Sequence, residues 1–210
     1  FRRGAEIFQE ADRRVQWTEI GPFSNAVPDA QTIAHADANP ALASDLGSMS
    51  YAVTTSNAEA QKFFDQGLRL AYAFNHLEAV RSFRKARTLD PECAMCYWGE
   101  ALVLGPNINA GMDAASAAPA YEAVSKALTL SAAATPKERA LIEALSKRYA
   151  KEAPEDRAPL DKAFAEAMQK VAAQFPDDDQ IVMQYTEALM DLQPWDYWEA
   201  GGSQPKARTG

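Results

Sequence analysis

The chain has 210 residues, 47% of them hydrophobic and 24% charged, with a formal charge of −8. That length allows one sizeable core or a short stack of repeats, and the acidic balance argues against nucleic acid, whose phosphates need clustered Lys and Arg. No apolar run approaches the roughly eighteen residues that span a bilayer, so no transmembrane segment is expected, and no charged stretch leading into an apolar core marks a signal peptide.

Residues 1–16 can form a first helix, with Ile7, Phe8, Ala11 and Val15 on one stripe. From Trp17 to about Thr55 periodicity vanishes among Pro22, Pro28, Pro40, Gly21 and Gly47. So long an irregular stretch is a linker or a tail laid on the helical body, and Trp17, Ile20 and Phe23 favour partial docking. Residues 1–55 are thus read as an N-terminal helix with an irregular extension. Ser56-Asn57-Ala58-Glu59 reads as a capping box opening a helix to about Phe74, and a turn at Asn75-His76 leads into a second helix ending at Leu89. Asp90 and Pro91 are expected to cap and start the next helix, which carries Cys93 and Cys96 and ends near Gly105. A loop from Asn107 to Pro119 precedes a helix beginning near Ala120. Thr135-Pro136-Lys137-Glu138 is a second capping box, opening a helix to about Lys151. Helices follow from Pro159 to Gln174 and, capped by Asp177, to about Leu192. Residues 56–199 form the helical domain, and 200–210 read as a tail or a linker to further sequence.

No strand-like alternation stands out, so the fold class is all-α. Gly67, Ala79, Phe83, Ala86 and Pro91 fall at the signature spacing of a tetratricopeptide repeat, a helix–turn–helix unit of about 34 residues. Phe63, Phe64, Leu68 and Leu70 are answered one period later by Tyr97, Trp98, Leu102 and Leu104. The expected architecture is therefore TPR-like stacked helical hairpins, a right-handed α-solenoid with loop insertions.

The block FNHLEAVRSFRKARTLDPECAMCYWGEALVLGPNIN, with PWDYW downstream, resembles a group of bacterial tetratricopeptide-repeat proteins with no assigned biochemical role. The resemblance covers about Ser50 to Glu199 and implies an exported protein, periplasmic or extracellular, of which this chain is the N-terminal part.

Several constellations are candidates for function. Phe64, Leu68, Met95, Trp98 and Leu102 match positions that face the concave groove in such superhelices, where an apolar surface needs a partner peptide or another segment of the chain to cover it. Asn75 and His76 are expected to meet the loop carrying Asn107 and Asn109, with satisfaction of turn amides the favoured explanation. Cys93 and Cys96 open a helix; a local disulfide is favoured over redox or copper handling, because Asp90 and Glu92 oppose thiolate formation and no βαβ pattern surrounds the pair. His76 cannot complete a metal set with them, since its helix carries it about 20 Å away. Trp195, Tyr197 and Trp198 form either an aromatic lip for a sugar or peptide, or a plug closing the last repeat. His35 carries no signal, and Asp177-Asp178-Asp179 lacks the ligand spacing of a calcium loop.

No nucleophile–base set or phosphate-binding Gly-rich loop is present, so an enzyme, a cofactor and a resident metal are not expected. The sequence favours a scaffold that binds another protein or a subunit of a larger assembly. Redox or copper handling through the Cys pair, and carbohydrate binding through the PWDYW aromatics, are the alternatives.

Overall fold

A computed structural model describes residues 39–202 and 204–206. The expected helix over 1–16, the docking of Trp17, Ile20 and Phe23, and His35 lie outside them. Among the described residues the regular structure is all-helical: α1 (Ala58–Tyr72), α2 (His76–Leu89), α3 (Ala94–Val103), α4 (Ala114–Leu130), α5 (Pro136–Ser146), α6 (Ala158–Gln174) and α7 (Asp179–Met190), with a 3-10 turn at Ser131–Ala133. No helix there is long and apolar enough to cross a membrane.

Each helix packs on the next in chain order, and α1 also meets α3 while α3 meets α5. One ring sets the first of these approaches. Phe83 of α2 is fully buried and packs edge-to-face on Phe64 of α1, with ring centroids 5.5 Å apart. A Cβ on Gly67 of α1 would lie 2.9 Å from that ring, and one on Gly99 of α3 would lie 2.3 Å from it. Glycine at both positions lets α1 and α3 close on the two sides of a single aromatic. Gly67 belongs to the repeat spacing; Gly99 completes the wedge.

Several helix starts differ from the sequence expectation. Asn57, not Ser56, caps α1, its side chain accepting from the Glu59 and Ala60 amides. Ser56 is drawn off because its amide donates to Asp90 at 2.9 Å. Asp90 in turn does not start α3: Asp90–Glu92 form a turn, and Cys93 is the cap, its sulfur accepting from the Cys96 amide. Asp113 caps α4, which therefore begins six residues before Ala120 and carries Pro119 inside it. Asp178 rather than Asp177 caps α7. Thr135 and Glu138 form the expected capping box, with Pro136 at the first helical position. Helix α5 stops at Ser146, short of Lys151. Beyond α7 the chain does not fray at once: the Tyr197 carbonyl accepts from the Lys206 amide and the Glu199 amide donates to the Gln204 carbonyl, which sets 197–199 beside 204–206.

Residues 39–57 have no regular structure, yet they are tied down by side chains of the helices. Gln66 accepts from the Ala43 amide and donates to the Ala41 carbonyl, at 2.8 and 3.0 Å. Asp65 accepts from the Ser50 hydroxyl and the Tyr51 amide, and Arg69 donates to the Met49 carbonyl. Farther along, Glu138 takes both the amide and hydroxyl of Thr54, and Asp90 takes the Thr55 hydroxyl. Tyr51 reaches Asp178 at the start of α7, with Lys137 over its ring. Leu46, Met49, Tyr51 and Val53 pack against the core. This strap connects α1, α5 and α7, elements that lie far apart in sequence.

Burial alone would raise the carboxyl of Glu138, but hydrogen bonds from Thr54 and Thr135 outweigh it and hold the group below its ordinary value of 4.5. A depressed carboxyl stabilises the fold above the unfolded-state value and loses that contribution as pH falls through the folded one. Glu138→Gln should therefore cost about 2 kcal/mol near neutral pH, as hydrogen bonds to a charged group do. The gap between wild-type and variant melting temperatures should begin to shrink below the ordinary value of 4.5 and be smallest near the acid limit. Thermal melts followed by circular dichroism across that range check it; a gap constant with pH would show that the charge of Glu138 does not hold the strap.

Candidate functional site

The expected groove is largely covered. Phe64, Leu68 and Met95 are at most 1% exposed and Trp98 is 4% exposed, so four of its five residues lie inside the core. The reason is twofold: Phe64 is consumed by the Phe83 contact, and the strap reaches the α3 side, where Thr54 and Met95 line one small pocket. Leu102 is the exception. It lines a cleft of about 270 Å³.

This cleft lies between the end of α1, the start of α2, the loop after α3, and α7. Its apolar wall includes Phe74, Leu102, Val103, Ile108, Met183 and Met190. Of the four expected corner residues, His76 and Asn107 line the cleft. His76 Nδ1 donates to the Val103 carbonyl at 3.2 Å, which leaves Nε2 as a buried acceptor with no partner. Burial lowers the His76 pKa more than that bond raises it, so the ring is neutral at physiological pH. Asn107 is 6% exposed, and its side chain accepts from the Asn109 amide at 2.9 Å, shaping the loop. Asn75 precedes α2 but its side chain makes no capping bond.

Phe74 stands out on backbone grounds. Its φ of 57° is left-handed, a region a bulky side chain rarely enters. The Asn75 amide bonds the Leu70 carbonyl and the Phe74 amide bonds Ala71, the Schellman ending in which glycine is usual. The ring so placed stacks on His76, with centroids 6.1 Å apart, and stays 41% exposed. Met183 is 38% exposed. An aromatic and a thioether thus offer apolar surface to solvent along the same cleft.

Behind this wall sits a charged cluster invisible from sequence spacing. Arg148, 3% exposed, pairs with Asp191 and lies 3.6 Å from Asp161, which also accepts from Arg157. Burial pushes Asp191 up to about 6, with Arg148 opposing. Glu187, one helical turn before Asp191, lines the cleft beside Arg148.

The other candidates lie elsewhere. Cys93 and Cys96 are joined as a disulfide and are 1% and 0% exposed. Among the described residues no group of three or more metal-ligating side chains comes together. Trp195 and Trp198 are 72% and 56% exposed, which does not suit a plug, while Tyr197 is half-buried with its hydroxyl toward the Met190 carbonyl. No protein-family model, curated protein or solved structure matches the chain.

The strain at Phe74 can be isolated by two variants that both lose the ring. Phe74→Gly should be more stable than Phe74→Ala by about 1 kcal/mol, since only glycine enters the left-handed region freely. Equal denaturation midpoints for the two would contradict a strained residue 74.

Proposed function

We propose that the chain is a tetratricopeptide-like right-handed α-solenoid and acts as a scaffold, binding a segment of another protein in the cleft between α1, the loop after α3, and α7. Packing of each helix on its chain neighbour, with α1 beside α3 and α3 beside α5, supports stacked hairpins. The observation that carries the binding reading is the cleft itself: with the strap covering neighbouring apolar positions, it is left open and edged by exposed Phe74 and Met183. Its size suits one or two anchoring side chains of a peptide, the usual centre of a protein interface.

The Cys pair enters this reading as structure. A disulfide supports residence in an oxidising compartment, and with it the periplasmic or extracellular location. Redox exchange is disfavoured because thiolate attack needs access to a sulfur, and both sulfurs belong to buried residues. Carbohydrate binding has one observation in its favour, the exposure of Trp195 and Trp198.

Peptides selected from a random displayed library against the intact chain separate these readings. They should carry an apolar anchor and bind about tenfold more weakly to Met183→Asp, which places a charge at a partly exposed position. The Cys93→Ser, Cys96→Ser double variant and Trp198→Ala should bind like wild type. Affinity unchanged by Met183→Asp would overturn the cleft reading; loss confined to the folded double-Ser variant would favour the Cys pair, and loss confined to Trp198→Ala the aromatic lip.

A further inference from the structure

We propose that the cleft receives a lysine side chain of the docked partner, its aliphatic stem along the apolar wall and its ammonium on the Glu187 carboxylate; this rests on the cleft being the docking site. The charges behind the cleft wall do not balance. Two guanidinium groups, Arg148 and Arg157, share one cluster with three carboxylates, Asp161, Asp191 and Glu187, and of these five Arg148 and Glu187 line the cleft. Asp161 and Asp191 take the ion pairs. Glu187 is the surplus one, and it lines the cleft.

The remaining wall fits the same ligand. His76 is neutral, so it brings no opposing charge, and its Nε2 is a second acceptor without a donor. Tyr72 and Gln184 are already bonded to each other, and Tyr72 donates to Gln180, which leaves them little to offer an anion. Leu102, Val103, Ile108 and Met183 give an aliphatic passage toward Glu187. A ligand with an apolar stem and a compact donor head meets both halves of this surface. A guanidinium is wider and brings five donors to a wall with one spare carboxylate, beside the cation of Arg148. Burial raises the Glu187 pKa against the pull of Arg148. An incoming ammonium would oppose that burial effect and favour the charged carboxylate.

The probes are n-pentylammonium, which reproduces a lysine stem and head, and n-pentanol, which keeps the stem and removes the charge. Both are titrated into the intact chain while the methyl signals of Met183 and Met190 are followed by NMR. The ammonium should bind about tenfold more tightly than the alcohol, and Glu187→Gln should erase that difference. The variant is expected to fold, because it replaces a carboxyl that burial already drives toward neutrality. Equal binding of the two probes to wild type, or an ammonium preference that survives in Glu187→Gln, overturns the lysine proposal while leaving an apolar docking site intact. Absence of methyl shifts with either probe also overturns it, and the docking reading then stands or falls on whether Met183→Asp weakens the selected peptides. A selected peptide whose lysine is replaced by norleucine should lose about tenfold in affinity as well; an unchanged affinity counts against the proposal.

Discussion

The placement of the Phe83 ring is the constraint on which the rest depends. A fully buried aromatic lies against Phe64 and between two helices that carry glycine where they meet it. Interiors are packed as densely as organic crystals, so such a contact admits few alternatives. It fixes how α1 and α3 lie against α2, and so sets the surface on which the strap is laid and the edge at which the cleft begins. A side chain at Gly99 would force that ring aside, and with it Phe64.

The strap then divides the surface. Its backbone is satisfied by Gln61, Asp65, Gln66, Asp90 and Glu138, polar side chains that would otherwise be buried or half-buried without purpose. Glu138 serves twice, closing the capping box of α5 and holding Thr54. Because the strap supplies Leu46, Met49, Tyr51 and Val53 to the core, the apolar helix positions beneath it are no longer open to a partner. Among the described residues the far end stays open, where Phe74 and α7 edge a cleft that Glu187 lines. The covered core and the open cleft are thus complementary outcomes of one covering segment.

Much of this was legible in the sequence, and the misses have physical causes. The Gly67–Phe83 spacing and the Thr135–Glu138 box could be read because every participant lies within one hairpin or one helical turn. Ser56 reads as a cap in the sequence because its competitor, Asp90, lies 34 residues on and is brought near only by folding. Pro119 suggested a helix start, but Asp113 offers the earlier amides a better acceptor, and the helix tolerates the proline within its second turn. Hairpin geometry puts His76 at the end of α2 nearer the loop after α3, and both His76 and Asn107 line the cleft. The meeting of Arg148 with Asp191 and Glu187 could not be read, since no local pattern announces that the end of α5 and the end of α7 will meet. The burial of Phe64, Leu68, Met95 and Trp98 was open for a similar reason: a groove position and a core position carry the same residues until the covering segment is placed.

On the proposed reading a partner enters the cleft while the strap stays where it is. A crystal structure of the chain bound to one of its selected peptides tests this most directly. Peptide side chains should lie against Phe74, Leu102 and Met183, with Thr54 still on Glu138 and Thr55 still on Asp90. A peptide found in place of the strap, over Met95 and Trp98 with residues 49–56 displaced, would contradict it.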